Sequence, residues 1–276
     1  MNAPVVRRWP RWRQVLVLAL TAAALTAAAL PAAAAPRAEL AVVVDDLGHH
    51  PEAARRTLTL PDEVAIAILP FAPATQEILR EERITDHELL LHQPMEPLNA
   101  RAPLAPGTLT RSMPPPFFSL ALQAALQAVP GIVGVSNHTG SRLTSDAVAM
   151  ERLMQWLAGR NLLFLDSRTT PDTVAYTLAR EAGIAAVERD VFLDHDPAPE
   201  AMAEAFRRAL RIAREQGHAV VIAHPHADSL AFLQEALARL PEDVALVPLT
   251  RLVSPRCPAA SDPCESPGSR HRSLGQ

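Results

Sequence analysis

Two adjacent carboxylates, Asp45 and Asp46, follow the apolar run Ala41-Val42-Val43-Val44 and precede Leu47-Gly48. Three later apolar runs finish in His92, His138 and His224, and another finishes in Asp166. Neutral imidazoles with carboxylates make the mixed nitrogen and oxygen donor set that zinc and similar divalent ions take. An isolated Asp-Asp pair more often only ends a strand, because Asp favours turns, and an isolated His is more often a turn or hydrogen-bonded structural residue. The repetition at successive strand ends is the signal. In parallel α/β folds those ends gather on one face, where ligands and catalytic groups collect. His49, His50, His87, His195, His218 and His226 lack this placement and read as surface residues.

The elements needed to hold those ends together are legible as alternation. Strand candidates are 40–45, 64–69, 88–92, 132–137, 162–166, 185–190, 219–224 and 244–247. Short continuous apolar runs of this kind read as strands buried on both faces. Helix candidates lie between them at 52–58, 74–82, 117–129, 146–158, 172–181, 200–215 and 229–239. Met150, Leu153, Met154 and Leu157 repeat at helical spacing, with Ser145 placed as N-cap; Asp228 is placed to cap the last helix. These stripes read as core. Strand-helix alternation repeated this often predicts a parallel sheet, either a closed barrel or an open doubly wound sheet. The stretch Asp46-Leu47-Gly48-His49-His50-Pro51 has one glycine where a dinucleotide fingerprint needs three, and no P-loop occurs. That leans the choice to a barrel. The long Pro-rich segment 94–116 reads as a loop over its mouth.

Residues 1–35 read as a signal peptide. Arg7, Arg8, Arg11 and Arg13 precede the apolar run Val15 to Leu30, and Ala32 to Ala35 offer a small-residue cleavage pattern. A run this short and Ala-rich falls below the ~20 residues of a membrane span, so cleavage is favoured over an anchor, leaving a periplasmic or secreted protein with no stable span. Without those four arginines the chain has 22 basic and 30 acidic residues, a net charge of −8. No basic patch stands out, which argues against a nucleic-acid partner. Residues 36–253 suit one domain, and 254–276 reads as a disordered Pro/Ser-rich tail. It holds the only cysteines, Cys257 and Cys264, which read equally as a small disulfide loop or as free thiols.

Five ordered motifs resemble the divergent polysaccharide deacetylase family, a remote branch of the NodB-like carbohydrate esterases: Val42-Val43-Val44-Asp45-Asp46-Leu47-Gly48, His92-Gln93-Pro94-Met95-Glu96-Pro97, Asn137-His138-Thr139-Gly140-Ser141, Phe164-Leu165-Asp166-Ser167-Arg168-Thr169 and Ile222-Ala223-His224-Pro225. The resemblance spans about residues 40–253. It implies an α/β fold, a distorted (β/α) barrel of about seven to eight parallel strands with a divalent metal, zinc foremost, at its mouth. It also implies a polysaccharide or glycan substrate.

Carried over residue by residue, the resemblance makes Asp45 the catalytic base and Asp46 a metal ligand. The wider superfamily takes two histidines from one H-[ST]-x-x-H motif, but here Arg142 stands at the second position. The triad implied is therefore Asp46, His92 and His138. His224 matches the general acid, and Asp166 an acidic residue kept near the base. Glu96 and Ser141, inside two of the motifs, join Arg168 and Arg189 as candidate substrate contacts; rim salt bridges account equally well for the two arginines. The function implied is an exported metal-dependent hydrolase removing acetyl groups from a cell-envelope polysaccharide. The altered second motif keeps open a catalytically weak protein that binds glycan or an envelope partner.

Overall fold

The computed structural model describes residues 37–253; segments 1–36 and 254–276, with Cys257 and Cys264, lie outside the described residues. The chain runs through β1 (Ala38–Leu47), α1 (Pro51–Thr57), β2 (Ala65–Ile68), the single turn α2 (Thr75–Ile78), β3 (Leu89–Met95), α3 (Pro115–Ala128) and β4 (Gly134–Thr139). It continues through α4 (Ala147–Leu157), β5 (Leu163–Asp166), α5 (Ala175–Glu181), β6 (Ala186–Glu188) and β7 (Val191–Phe192). It ends with α6 (Pro199–Gln216), β8 (His218–Ala223), α7 (Ala227–Ala238) and β9 (Val244–Leu246). Among the described residues no helix is long and apolar enough to cross a membrane.

The strands are parallel and ordered β6-β5-β4-β3-β2-β1-β8-β7, with β9 beside the first residues of β1. Only Arg189 and Asp190 separate β6 from β7. This one bent segment pairs with β5 through its first half and with β8 through its second. It thereby joins both ends of the path and curls the sheet into the distorted barrel that the sequence predicts. The single sixth strand expected over 185–190 is corrected to this bend. Its cause is a transfer of partners: the Arg189 N–H donates to the Asp166 carbonyl (2.9 Å), while the Asp190 N–H donates to the Val220 carbonyl (2.9 Å).

Alternation along the strands builds two cores. Leu40, Val42, Val44, Ile66, Ile68, Leu91, Phe164 and Val221 point outward against the helices. Ala41, Val43, Ala65, Ala67, Leu90, Leu165, Val220 and Ile222 fill the barrel, closed at the bottom by Leu249. Each Val, Leu or Ile so buried contributes roughly 1.5–3 kcal/mol. The helices cover the outer core with their apolar stripes, for example Met150, Leu153, Met154 and Leu157 of α4. Two caps differ from expectation. The α4 N-cap is Asp146, whose carboxylate accepts the Ala149 N–H at 3.0 Å, while the Ser145 hydroxyl turns back to the Ser141 and Arg142 carbonyls. Asp228 sits within the first turn of α7, one position past its first residue. His87 is not a surface residue; it is buried, with Nδ1 2.9 Å from the Val64 carbonyl.

The third strand extends past His92 to Met95 by pairing Pro94 with His138 and Met95 with Thr139 of β4, and the Pro94 carbonyl also accepts the Leu109 N–H at 2.9 Å. The segment after it is thereby tied to the strand end. At the end of β1, Gly48 has φ +143°, and a Cβ there would lie 2.7 Å from Ala72 Cβ. Gly48→Ala combines a backbone conformation that L side chains avoid with that overlap. It is expected to lower stability by about 1–3 kcal/mol, read as a lower urea midpoint at unchanged slope.

Candidate metal centre

The inward parity of the barrel core continues upward into the site. Ala41 and Val43 lead to Asp45, Leu90 to His92, Leu165 to Ser167, and Val220 and Ile222 to His224. Ser136 and His138 share one face of β4 with Gly134, where an added Cβ would strike the inward Leu163. Asp46 has the wrong parity and reaches the mouth differently. The β1 register with β2 shifts between Val44 and Leu47, and Asp46 takes φ +62° within that irregularity. A bulge of this kind re-aims a side chain, here to the same side as Asp45.

Asp46 becomes the hub. Its Oδ1 lies 3.0 Å from His92 Nε2 and accepts from His138 Nδ1 at 2.7 Å. Ligand atoms of Asp46, His92 and His138 all fall within 4.8 Å of one another, and they form the one such cluster of three among the described residues. His92 is buried and its Nδ1 lies 2.7 Å from Ser136 Oγ, the outer partner that fixes the orientation of a ligating imidazole. Arg142 takes no part: its Nη2 donates to the Leu98 carbonyl at 3.0 Å.

The electrostatics match the packing. Burial alone would raise the Asp46 pKa, but hydrogen bonds from His138 and His92 outweigh it and hold the carboxyl well below its ordinary value. Burial likewise opposes a charged His92, yet the Asp45 and Asp46 carboxylates pull its pKa upward. Asp45 is raised, first by burial, with His92 opposing. Its Oδ2 lies 3.7 Å from His92 Nε2, and its buried Oδ1 accepts no hydrogen bond from a described residue. A cation fits this donor set: two imidazoles and two carboxylates converge, and one carboxylate oxygen is still without a partner.

His224 stands across the mouth, Nε2 4.0 Å from Asp46 Oδ2. Its Nδ1 donates to Asp194 Oδ1 at 2.9 Å; Asp194 Oδ2 accepts the His224 backbone N–H and the Ser229 hydroxyl, both at 2.7 Å. Burial would lower the His224 pKa, but Asp194 overrides it and raises it. Asp194, opposed by burial, is held down by the same bonds. Because its folded pKa is depressed, its stabilising contribution is complete above the unfolded value near 3.9 and is lost as pH falls through the folded value. Asp194→Asn is therefore expected to flatten the acid limb of the stability curve below about pH 4, measured by thermal unfolding across pH.

The other expected site residues lie around this centre with different partners. Asp166 has outward parity, and its carboxylate does not join the base. Its Oδ1 accepts the Arg168 N–H at 2.8 Å and its Oδ2 the Thr173 hydroxyl at 2.8 Å, which fixes the loop carrying Ser167. The expected catalytic Asp166 is thus corrected to a loop anchor. Glu96 Oε2 accepts the Arg111 N–H, and Ser141 Oγ accepts the Leu98 N–H, both at 2.9 Å, so both staple the segment after β3. Arg168 pairs with Glu188. Arg189 spans the carbonyls of Ser167 and Arg168, each at 2.8 Å. A cleft of about 270 Å³ opens between the turns after β1 and β8, lined by Asp46, His49, His50, His224 and His226.

Comparison with known proteins places the chain in a family. Residues 42–253 match the divergent polysaccharide deacetylase family. The uncharacterized Escherichia coli K12 protein YibQ is 35% identical over 216 residues, 78% of this chain and 67% of YibQ. An uncharacterized Haemophilus influenzae Rd protein is 34% identical over 216 residues, 78% and 77% of the two chains. The crystal structure of the uncharacterized protein ATU2773 from Agrobacterium tumefaciens C58 superposes with a TM-score of 0.73 at 26% identity, covering 81% of this chain and 92% of that one. Because the family match covers nearly all the described residues, the chain belongs to the divergent polysaccharide deacetylase family.

Proposed function

We propose that this protein is an exported, metal-dependent hydrolase that removes acetyl groups from a cell-envelope polysaccharide. The observation that carries the reading is that two proton-handling groups lie beside one candidate metal triad: Asp45 Oδ2 is 3.7 Å from His92 Nε2, and His224 Nε2 is 4.0 Å from Asp46 Oδ2. Asp46, His92 and His138 would hold the ion, with zinc suited to the donor set. When bound, the ion supplies Lewis-acid polarisation of an acetyl carbonyl and makes a water more acidic. Asp45, its pKa raised by burial, takes the proton from the attacking water. His224, whose pKa Asp194 raises against burial, gives a proton to the departing sugar nitrogen or oxygen. The low exposure of Asp45 and His92 keeps bulk water from competing with these transfers.

The test is acetate release from a panel of acetylated glycans by the zinc-loaded, purified protein, with and without chelator. Chelator-sensitive release supports the reading. Release of reducing ends instead of acetate would identify a glycosidase, and glycan binding with neither product would move the protein to the binding class. Export rests on the four-arginine segment and the apolar run after it. N-terminal sequencing of the periplasmic protein is expected to begin near Ala35 or Pro36; an intact Met1 in a membrane fraction would instead make the segment an anchor.

A further inference from the structure

The geometry points to Arg189 as a positioning residue that sets the ring plane of His224 through Phe192. It rests on the reading of His224 as the proton donor. Among the described residues the His224 side chain makes one hydrogen bond, 2.9 Å from Nδ1 to Asp194; Nε2 lies 4.0 Å from Asp46, and the His226 ring is tilted 36° to it at 6.0 Å. One hydrogen bond along the ring edge fixes that edge but leaves the ring free to rock, since the terminal torsion of His is broad. A face contact supplies the missing restraint. The Phe192 ring stacks on the imidazole, centroids 5.8 Å apart and planes within 28°. Phe192 is restrained in turn, because the Arg189 guanidinium carbon sits 3.7 Å from its ring centroid.

Arg189 is fixed in turn by its fork. Nε donates to the Ser167 carbonyl and one terminal nitrogen to the Arg168 carbonyl, each at 2.8 Å. A planar guanidinium can satisfy two carbonyls while presenting a face to an aromatic ring; an ammonium cannot do both. Burial, joined by the nearby Arg168 charge, lowers the Arg189 pKa to about 10, so it remains a cation at neutral pH. The same loop reaches the other side of the site, because the Ser167 hydroxyl approaches Asp45 Oδ2 at 3.5 Å. The bent β6–β7 segment that closes the barrel therefore also ties the base side to the acid side. Sequence alone had left Arg189 between a substrate contact and a rim salt bridge; its guanidinium instead faces carbonyls and an aromatic ring.

The experiment compares Arg189→Gln, Arg189→Lys and Phe192→Leu in the full-length protein. Histidine-labelled NMR reads the ring protons of His224, whose ring stacks with Phe192. Phe192→Leu is expected to abolish the ring-current shift of His224, and both Arg189 variants to reduce it, with Lys failing to restore it. In the zinc-loaded enzyme kcat should fall about 10- to 100-fold with KM unchanged, as for a displaced catalytic group. Metal content should stay at the wild-type level, because Arg189 touches no member of the triad. Unchanged His224 shifts in both Arg189→Gln and Phe192→Leu overturn the proposal, as does an equal fall in kcat and metal content. If His224 moves as expected while even the wild type releases no acetate, the contact chain stands and the deacetylase reading fails. Should Arg189→Gln not fold, Phe192→Leu and Arg189→Lys decide the question alone.

Discussion

His92→Ala is expected to strip the protein of metal and of acetate release together. The imidazole offers one of three candidate ligand atoms, is buried with Nε2 3.0 Å from Asp46 Oδ1, and is bonded behind by Ser136. Its removal leaves Asp46 with His138 alone, and two protein ligands hold a divalent ion far less well than three. Removing an outer-shell partner typically weakens metal binding about 10- to 100-fold. Ser136→Ala should fall in that range, and His92→Ala and His138→Ala should exceed it. Arg142→Ala should keep full occupancy, since Arg142 holds the Leu98 carbonyl instead. Elemental analysis after dialysis against limiting zinc reads all four variants. Full metal in His138→Ala would break the triad, and His224, 4.0 Å from Asp46, would be the next ligand to test. Loading should also weaken as pH falls, because the carboxylates raise the His92 pKa and the proton then competes with the ion.

The sequence exposed this centre to the extent that it is built from strand ends. Asp45, His92 and His224 follow apolar residues of the same parity, so alternation alone places them inward. Asp46 was legible as chemistry but not as geometry, because its aim depends on a φ of +62° at a register shift with β2, which no local pattern encodes. Asp166 misled for the opposite reason. It closes an apolar run much as Asp46 does, yet without an irregularity its parity sends it outward to Thr173 and the Arg168 N–H. The acid's support was missed because it is long-range: Asp194 and His224 lie thirty residues apart and meet only where β7 pairs with β8. The bend at Arg189 and Asp190 was hidden as well, since six consecutive residues with apolar content read as one strand whichever neighbours they pair with. Helix boundaries shifted for a smaller reason. Ser145 and Asp146 are both good caps, and the helix takes the one whose carboxylate reaches the Ala149 N–H.

Asp45→Asn is expected to lose turnover while keeping its metal, and to make the metal-free protein more stable. The first half follows from the base: an amide cannot take the water's proton, and a missing general base typically slows turnover about 100- to 10,000-fold. Asp46, His92 and His138 are untouched, so zinc content should match the wild type. The second half follows from the direction of the Asp45 shift. Burial raises its pKa in the folded state, so the folded protein disfavours the ionised form relative to the unfolded chain. That penalty is absent at pH values below the unfolded pKa near 3.9 and grows as pH rises through the folded value. An asparagine of the same shape avoids it and can donate a hydrogen bond where the carboxylate cannot. The metal-free variant should therefore unfold at a higher temperature than metal-free wild type at pH 7, with the difference closing toward pH 3. A catalytic group that destabilises its own fold is the expected signature of a site shaped by chemistry. A lower unfolding temperature for metal-free Asp45→Asn at pH 7 would show that the His92 contact outweighs burial, and that Asp45 belongs to the framework of the site as well as to its reaction.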